Sequence, residues 1–199
     1  MTLIFLLINL NATATNEQRE EFKKNCATGN STSCYNMGLM YANGDGVDKD
    51  DLKALAFYKK ACETNYYKSC SSVALLYEES QSIGIDMKKA FKYYTKACGG
   101  EDAFACHNLA IYYSKKETKA MQKISIALYN KACDGGYAKS CIYLGRLYRD
   151  SQKVTTNYEK AKKKFDMACE LNNYLGCKEL RILQELEKSA YSSHYINTS

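Results

Sequence analysis

Ten cysteines fall into five pairs, Cys26/Cys34, Cys62/Cys70, Cys98/Cys106, Cys133/Cys141 and Cys169/Cys177, and each pair encloses seven residues. Successive pairs begin 36, 36, 35 and 36 residues apart. A period in the mid-thirties belongs to helical hairpins that cannot bury their apolar faces alone and therefore stack on one another. The expected fold class is all-α, an αα-hairpin repeat solenoid of five hairpins over residues 15–188. Absence of proline means that nothing forces a helix to break, and eighteen tyrosines suit aromatic packing faces.

Two pairing schemes respect the period. Each second cysteine could join the first of the next unit, for example Cys34 with Cys62, but that strands Cys26 and Cys177. Pairing across the seven residues leaves none over, and a short turn between antiparallel helices brings the ends of such a span within disulfide distance. Zinc ligation is not expected, because no pair has the short knuckle spacing of a zinc site. No metal and no cofactor are expected.

The first residues contain an apolar run from Leu3 to Ile8 and then Ala12-Thr13-Ala14. This reads as an export signal cleaved after Ala14, giving a secreted or periplasmic protein, since a disulfide framework also requires an oxidising compartment. The run is far short of the roughly 20 residues a membrane span needs, so no integral span is expected after cleavage. Net charge is +6, but the lysines are mixed with acids along every repeat and only Lys162, Lys163 and Lys164 form a run. Nucleic acid is therefore not an expected partner. The protein is expected to be a monomer, and Ser189 to Ser199 a disordered tail.

Within the period, side-chain size repeats as well. Counted from each first cysteine, a small residue stands eight before (Ala54, Ala90, Ser125, Ala161) and an aromatic four before (Phe22, Tyr58, Tyr94, Tyr129, Phe165). Counted from the second, an apolar residue follows at three (Met37, Val73, Leu109, Leu144), a small one at four (Gly38, Ala74, Ala110, Gly145) and a tyrosine at seven (Tyr41, Tyr77, Tyr113, Tyr148). Such spacings trace one helical face, so these residues are expected to form the seam between hairpins.

The segments Met37-Gly38-Leu39-Met40-Tyr41, Gly44-Asp45-Gly46-Val47, Leu144-Gly145-Arg146-Leu147-Tyr148 and the Tyr-x-Lys-Ala-Cys runs ending at Cys62, Cys98 and Cys133 resemble the Sel-like repeat, a relative of the tetratricopeptide repeat. With a cysteine pair in each repeat, the chain is similar to the Helicobacter cysteine-rich protein family, exported Sel-like repeat proteins with one disulfide per hairpin. Members of that family are labelled penicillin-binding proteins and β-lactamases, and are discussed as secreted factors that meet host proteins. The resemblance thus implies a β-lactam or a host protein as further partners, and β-lactam hydrolysis as an activity.

The residues themselves carry little for that hydrolysis. A serine β-lactamase needs a serine three residues before a lysine, and no lysine here has one. The two histidines, His107 and His194, do not make a metal cluster. An activated water held by Glu78, Glu79 or Asp150, or His107 as base, is what remains, and the catalytic groups stay unassigned. A binding reading draws on geometry instead. In related solenoids the helix after each turn lines the concave surface, and two residues after the second cysteine stand Asn36, Ser72, Asn108, Tyr143 and Glu179. Asparagine amides offer donor and acceptor together, suited to an extended peptide backbone or a cell-wall fragment. Arg146, three residues beyond Tyr143, lies on the same face and suits a carboxylate. The expected groove residues are Asn36, Ser72, Asn108, Tyr143 and Arg146.

Overall fold

The computed structural model describes residues 16–150 and 156–196. The expected signal segment lies outside the described residues, as do most of the loop after Asp150 and the last three residues. Among the described residues there are helices and no strands. They form two compact units, dividing after Gly100. The first holds α1 (residues 16–27), α2 (Ser31–Asn43), α3 (Asp51–Glu63), α4 (Tyr67–Glu79) and α5 (Met87–Gly99). The second holds α6 (Ala103–Ser114), α7 (Lys119–Asp134), α8 (Ala138–Asp150), α9 (Tyr158–Glu170) and α10 (Tyr174–Ile196).

The nine-residue cysteine spans are the short turns of the hairpins. Pairing is local, with Cα separations of 4.6 Å for Cys26–Cys34, 4.8 Å for Cys62–Cys70, 4.8 Å for Cys133–Cys141 and 4.5 Å for Cys169–Cys177. Cys98 and Cys106 are disulfide-bonded too, and no described cysteine is free. Closing a loop of this size stabilises by roughly 2–3 kcal/mol in the chain-entropy account.

Backbone geometry explains why one span length serves all five turns. The residue three after the first cysteine is left-handed every time: Gly29 (φ 95°), Asn65 (64°), Glu101 (66°), Gly136 (88°) and Asn172 (56°). The next amide then reaches back to the carbonyl just before the cysteine, as in Tyr66 N to Ala61 O (3.2 Å) and Tyr137 N to Ala132 O (2.9 Å). This is the Schellman ending, in which one left-handed residue stops a helix and satisfies its last carbonyls. Asn30 and Asp102 then cap the following helices, accepting from the Ser33 and Ala105 amides at 2.8 Å.

The longer loops share a closure that the sequence does not announce. The cap residue's amide donates to the carbonyl of the repeat tyrosine: Asp50 N to Tyr41 O (2.9 Å), Asp86 N to Tyr77 O (2.8 Å) and Asn157 N to Tyr148 O (2.8 Å). The same three cap side chains accept from Lys53, Lys89 and Lys160 amides at 2.8–2.9 Å. Those lysines place their ammonium groups 5.1–5.5 Å from the ring centroids of Tyr41, Tyr77 and Tyr148. The loop before α7 departs from this, because α7 has 16 residues where α3, α5 and α9 have 13, and the extra turn replaces loop.

The expected seam is buried. Met37, Val73, Leu109 and Leu144 are at most 6% exposed, and the small residues at the matching offsets are buried with them. Each small residue makes room for a ring: a Cβ on Gly38 would overlap Tyr58, and one on Gly145 would overlap Phe165. The repeat tyrosines are less uniform than expected. Tyr77 is buried, while Tyr41, Tyr113 and Tyr148 are half-buried at the loop end.

At the C-terminus, α10 runs to Ile196, beyond the end expected near Lys188, so residues 189–196 continue the helix. No glycine or proline stands between Lys188 and Ile196 to stop it.

Two substitutions test this account. Glu101→Gly relieves a non-glycine left-handed residue and is expected to stabilise by about 1 kcal/mol, raising Tm by roughly 2–4 °C. Gly145→Ala is expected to cost about 1–3 kcal/mol, because a rigid ring cannot yield without a backbone shift. Thermal and denaturant unfolding of the oxidised protein measure both.

Candidate functional site

The positions expected to line a groove divide between the units. In the first, Asn36 on α2 and Ser72 on α4 are half-buried, and the Ser72 hydroxyl donates to the Lys68 carbonyl of its own helix (3.3 Å). In the second, Asn108 on α6 is half-buried, and its Nδ2 is enclosed without a hydrogen-bond partner. A buried amide donor left unpaired is costly, of order 1–3 kcal/mol. Tyr143 occupies the equivalent place on α8. Its ring is 36% exposed and stacks on Tyr129 at a centroid distance of 4.1 Å.

Arg146 is engaged within the chain. Its Nε donates to Glu179 Oε1 at 2.7 Å and its Nη2 to the same oxygen, while its side chain stays 48% exposed. Arg149, which the sequence reading missed, donates to Glu179 Oε2 at 2.7 Å and forks onto Asp150 at 2.6 and 2.7 Å. Glu179 is 6% exposed. Burial alone would raise its pKa, but hydrogen bonds from Arg146 and Arg149 outweigh that and hold it below the usual carboxylate range. The carboxylate suited to Arg146 is thus supplied by α10, at the groove position of the terminal repeat.

The groups considered for hydrolysis stand one by one within their own units. Glu78 accepts from the Tyr94 hydroxyl at 2.7 Å, Glu79 is exposed at the end of α4, and Asp150 is held by Arg149. His107 Nδ1 lies 2.8 Å from Ser140 Oγ, a pairing that resembles a base with its nucleophile. Ser140 is 0% exposed, however, so no substrate carbonyl reaches it. Burial, and then Lys139, push the His107 pKa down to about 4, leaving a neutral ring packed against Tyr129 and Tyr137. His107 therefore serves the seam between α6 and α8. Among the described residues no cluster of three or more histidine, cysteine or acidic side chains could hold a metal.

The Sel1 repeat pattern matches residues 31–66, 68–100, 103–137 and 138–173, well over half of the sequence. The chain belongs to the Sel1 repeat family. A Sel1 repeat in this frame is α2 with α3, α4 with α5, α6 with α7, or α8 with α9, so the inner cysteine pairs fall between consecutive repeats, while Cys26 on α1 and Cys177 on α10 lie outside the matched repeats. Curated protein sequences yield no match.

Among solved structures, a Sel1 repeat protein from Oxalobacter formigenes aligns with a TM-score of 0.70 at 20% identity, covering 81% of this chain and 65% of the other. Cysteine-rich protein B of Helicobacter pylori aligns at 32% identity with a TM-score of 0.51, covering 68% of this chain and 98% of that one. A protective antigen of uropathogenic Escherichia coli aligns with a TM-score of 0.55 at 21% identity, covering 84% and 44%. The chain therefore spans less than two thirds of the first of these. The likeness to the Helicobacter protein bears out the cysteine-rich Sel1 resemblance and is silent on penicillin binding and hydrolysis.

His107 makes the seam acid-sensitive in a calculable direction. Its folded pKa, about 4, lies below the unfolded value near 6.5, so the unfolded chain binds the proton first. Stability is full above pH 6.5 and falls as pH drops toward 4, by up to ~2 kcal/mol. His107→Gln is expected to flatten that window in denaturant titrations across pH, leaving only the carboxylate-dependent loss at lower pH.

Proposed function

We propose that this Sel1-repeat protein is an exported binding scaffold that takes extended peptides, or the peptide portion of cell-wall fragments, on the helices of its second unit that follow the disulfide turns. Five disulfides fit an oxidising compartment outside the cytosol, and among the described residues no helix is long and apolar enough to cross a membrane. The observation that carries the reading is the exposed side chain of Tyr143, stacked on Tyr129, with the half-buried Asn108 at the same offset one repeat earlier. Ring faces accept side chains without regard to sequence, and an asparagine amide beside them suits a peptide backbone.

β-Lactam binding and hydrolysis form a second reading, motivated by the family resemblance. A neutral His107 and an inaccessible Ser140 would leave such turnover to an activated water, at a low rate. Engagement of a host protein is a third reading, and it would use a surface other than these helices.

Labelled muropeptides titrated into oxidised protein separate these readings, run beside a chromogenic cephalosporin. Saturable binding without turnover, weakened roughly three- to tenfold by Asn108→Ala, is expected. Turnover that survives repurification and exceeds a denatured control would instead favour the hydrolase. Muropeptide binding unmoved by Asn108→Ala would remove Asn108 from the site.

A further inference from the structure

The strongest departure from the repeat lies on the outward face of α8. Measured from the second cysteine, positions two before, two after and five after fall on one side of each second-cysteine helix. In α8 they are Lys139, Tyr143 and Arg146, a ring between two cations. At the two outer positions α2 carries Thr32 and Leu39, and α4 carries Lys68 and Leu75. α6 carries Phe104 and Ile111, and α10 carries Leu175 and Ile182. The architecture is thus built four times without a cation pair at these places, so stacking does not explain the one in α8.

All three α8 side chains are exposed, and the ring is held flat by Tyr129 beneath it. The charges around them do not cancel. Glu179 and Asp150 are taken up by Arg146 and Arg149 through the bonds described above. Lys139 is in no ion pair among the described residues and adds one uncompensated positive charge. Glu179 also fixes the Nε and Nη2 edge of Arg146, which positions the remaining edge of the guanidinium for a second carboxylate.

We infer that the α8 face recognises an acidic peptide in extended conformation, with one carboxylate on Lys139, a second on Arg146 and an apolar side chain between them on Tyr143. The spacing follows from helix geometry. Seven helical residues rise about 10 Å, and side chains facing one way in an extended ligand recur at every second residue, so three of them span about 13 Å; the long Lys139 and Arg146 side chains splay to cover the difference, and the ligand is acidic-x-apolar-x-acidic. The inference rests on the peptide-binding reading and adds the ligand's charge and register. Two cations on two helical turns are too short a stripe for a nucleic acid or other polyanion, which would need a longer basic track.

The test uses full-length oxidised protein and a fluorescein-labelled peptide, Gly-Gly-Glu-Gly-Leu-Gly-Glu-Gly-Gly, beside its double glutamine analogue. Fluorescence polarisation is expected to show tighter binding of the glutamate peptide, by roughly three-fold per charge, and loss of that advantage in 0.5 M salt. Lys139→Gln, an exposed change that leaves the Arg146–Glu179 pair intact, is expected to erase about half of it. Lys88→Gln on α5 is expected to leave it unchanged. Equal binding of both peptides, with sensitivity to Asn108→Ala, would overturn the charge inference and leave the peptide-binding reading standing. Failure of both peptides to bind would overturn both. Tighter binding of a labelled oligothymidylate than of the glutamate peptide would also overturn the inference, in favour of a polyanion.

Discussion

Every hairpin in this protein depends on one constraint, a helix end that must reverse direction within nine residues while a sulfur bridge closes across it. The left-handed residue, the returning amide and the disulfide act on the same few atoms. The first two terminate the helix without leaving its last carbonyls unpaired. The third confines the unfolded chain, so the antiparallel pair is already close before any side chain packs. Burial of the seam then depends on registration that the turn has set, because a ring can sit over Gly38 or Gly145 only if neighbouring helices arrive in the same phase each time.

Much of this was legible in the sequence because the period repeats side-chain size. A small residue and a ring at fixed offsets from cysteine imply a contact, and the contact is there between Gly145 and Phe165. The turn conformation was hidden by its chemistry: Asn65 and Asn172 favour a left-handed backbone, but Glu101 at the same position does not, so residue type alone does not reveal the pattern. The long-loop closure was hidden for a different reason. It runs from a cap amide to a tyrosine carbonyl, and backbone groups leave no trace in side-chain identity.

The candidate site was legible in part. Asparagine and tyrosine at one offset pointed to a polar, aromatic helix face; in the structure Asn108 is half-buried and Tyr143 is exposed and stacked on Tyr129. The ionic cluster was missed because its partners lie 33 residues apart, one on an ordinary repeat and one on the terminal helix. The signal was present all the same. Arg146 stands where Leu39, Leu75 and Ile111 stand elsewhere, and Glu179 follows an amide, a hydroxyl and a phenol at its own position. Two departures at facing offsets of adjacent repeats mark a pair more reliably than either charge alone. Arg149 lay outside both offsets and carried no such signal.

The bridges sit across tight reversals of the chain, and each ties together the residues immediately before and after its bend. A backbone cut at any one of those bends would sever the peptide strand without releasing a fragment. The nicked molecule would stay whole by mass until a reductant was added, and its helices would keep their neighbours. Wherever proteases are present, such tolerance of broken loops is durability of a kind that a hydrophobic seam alone does not provide.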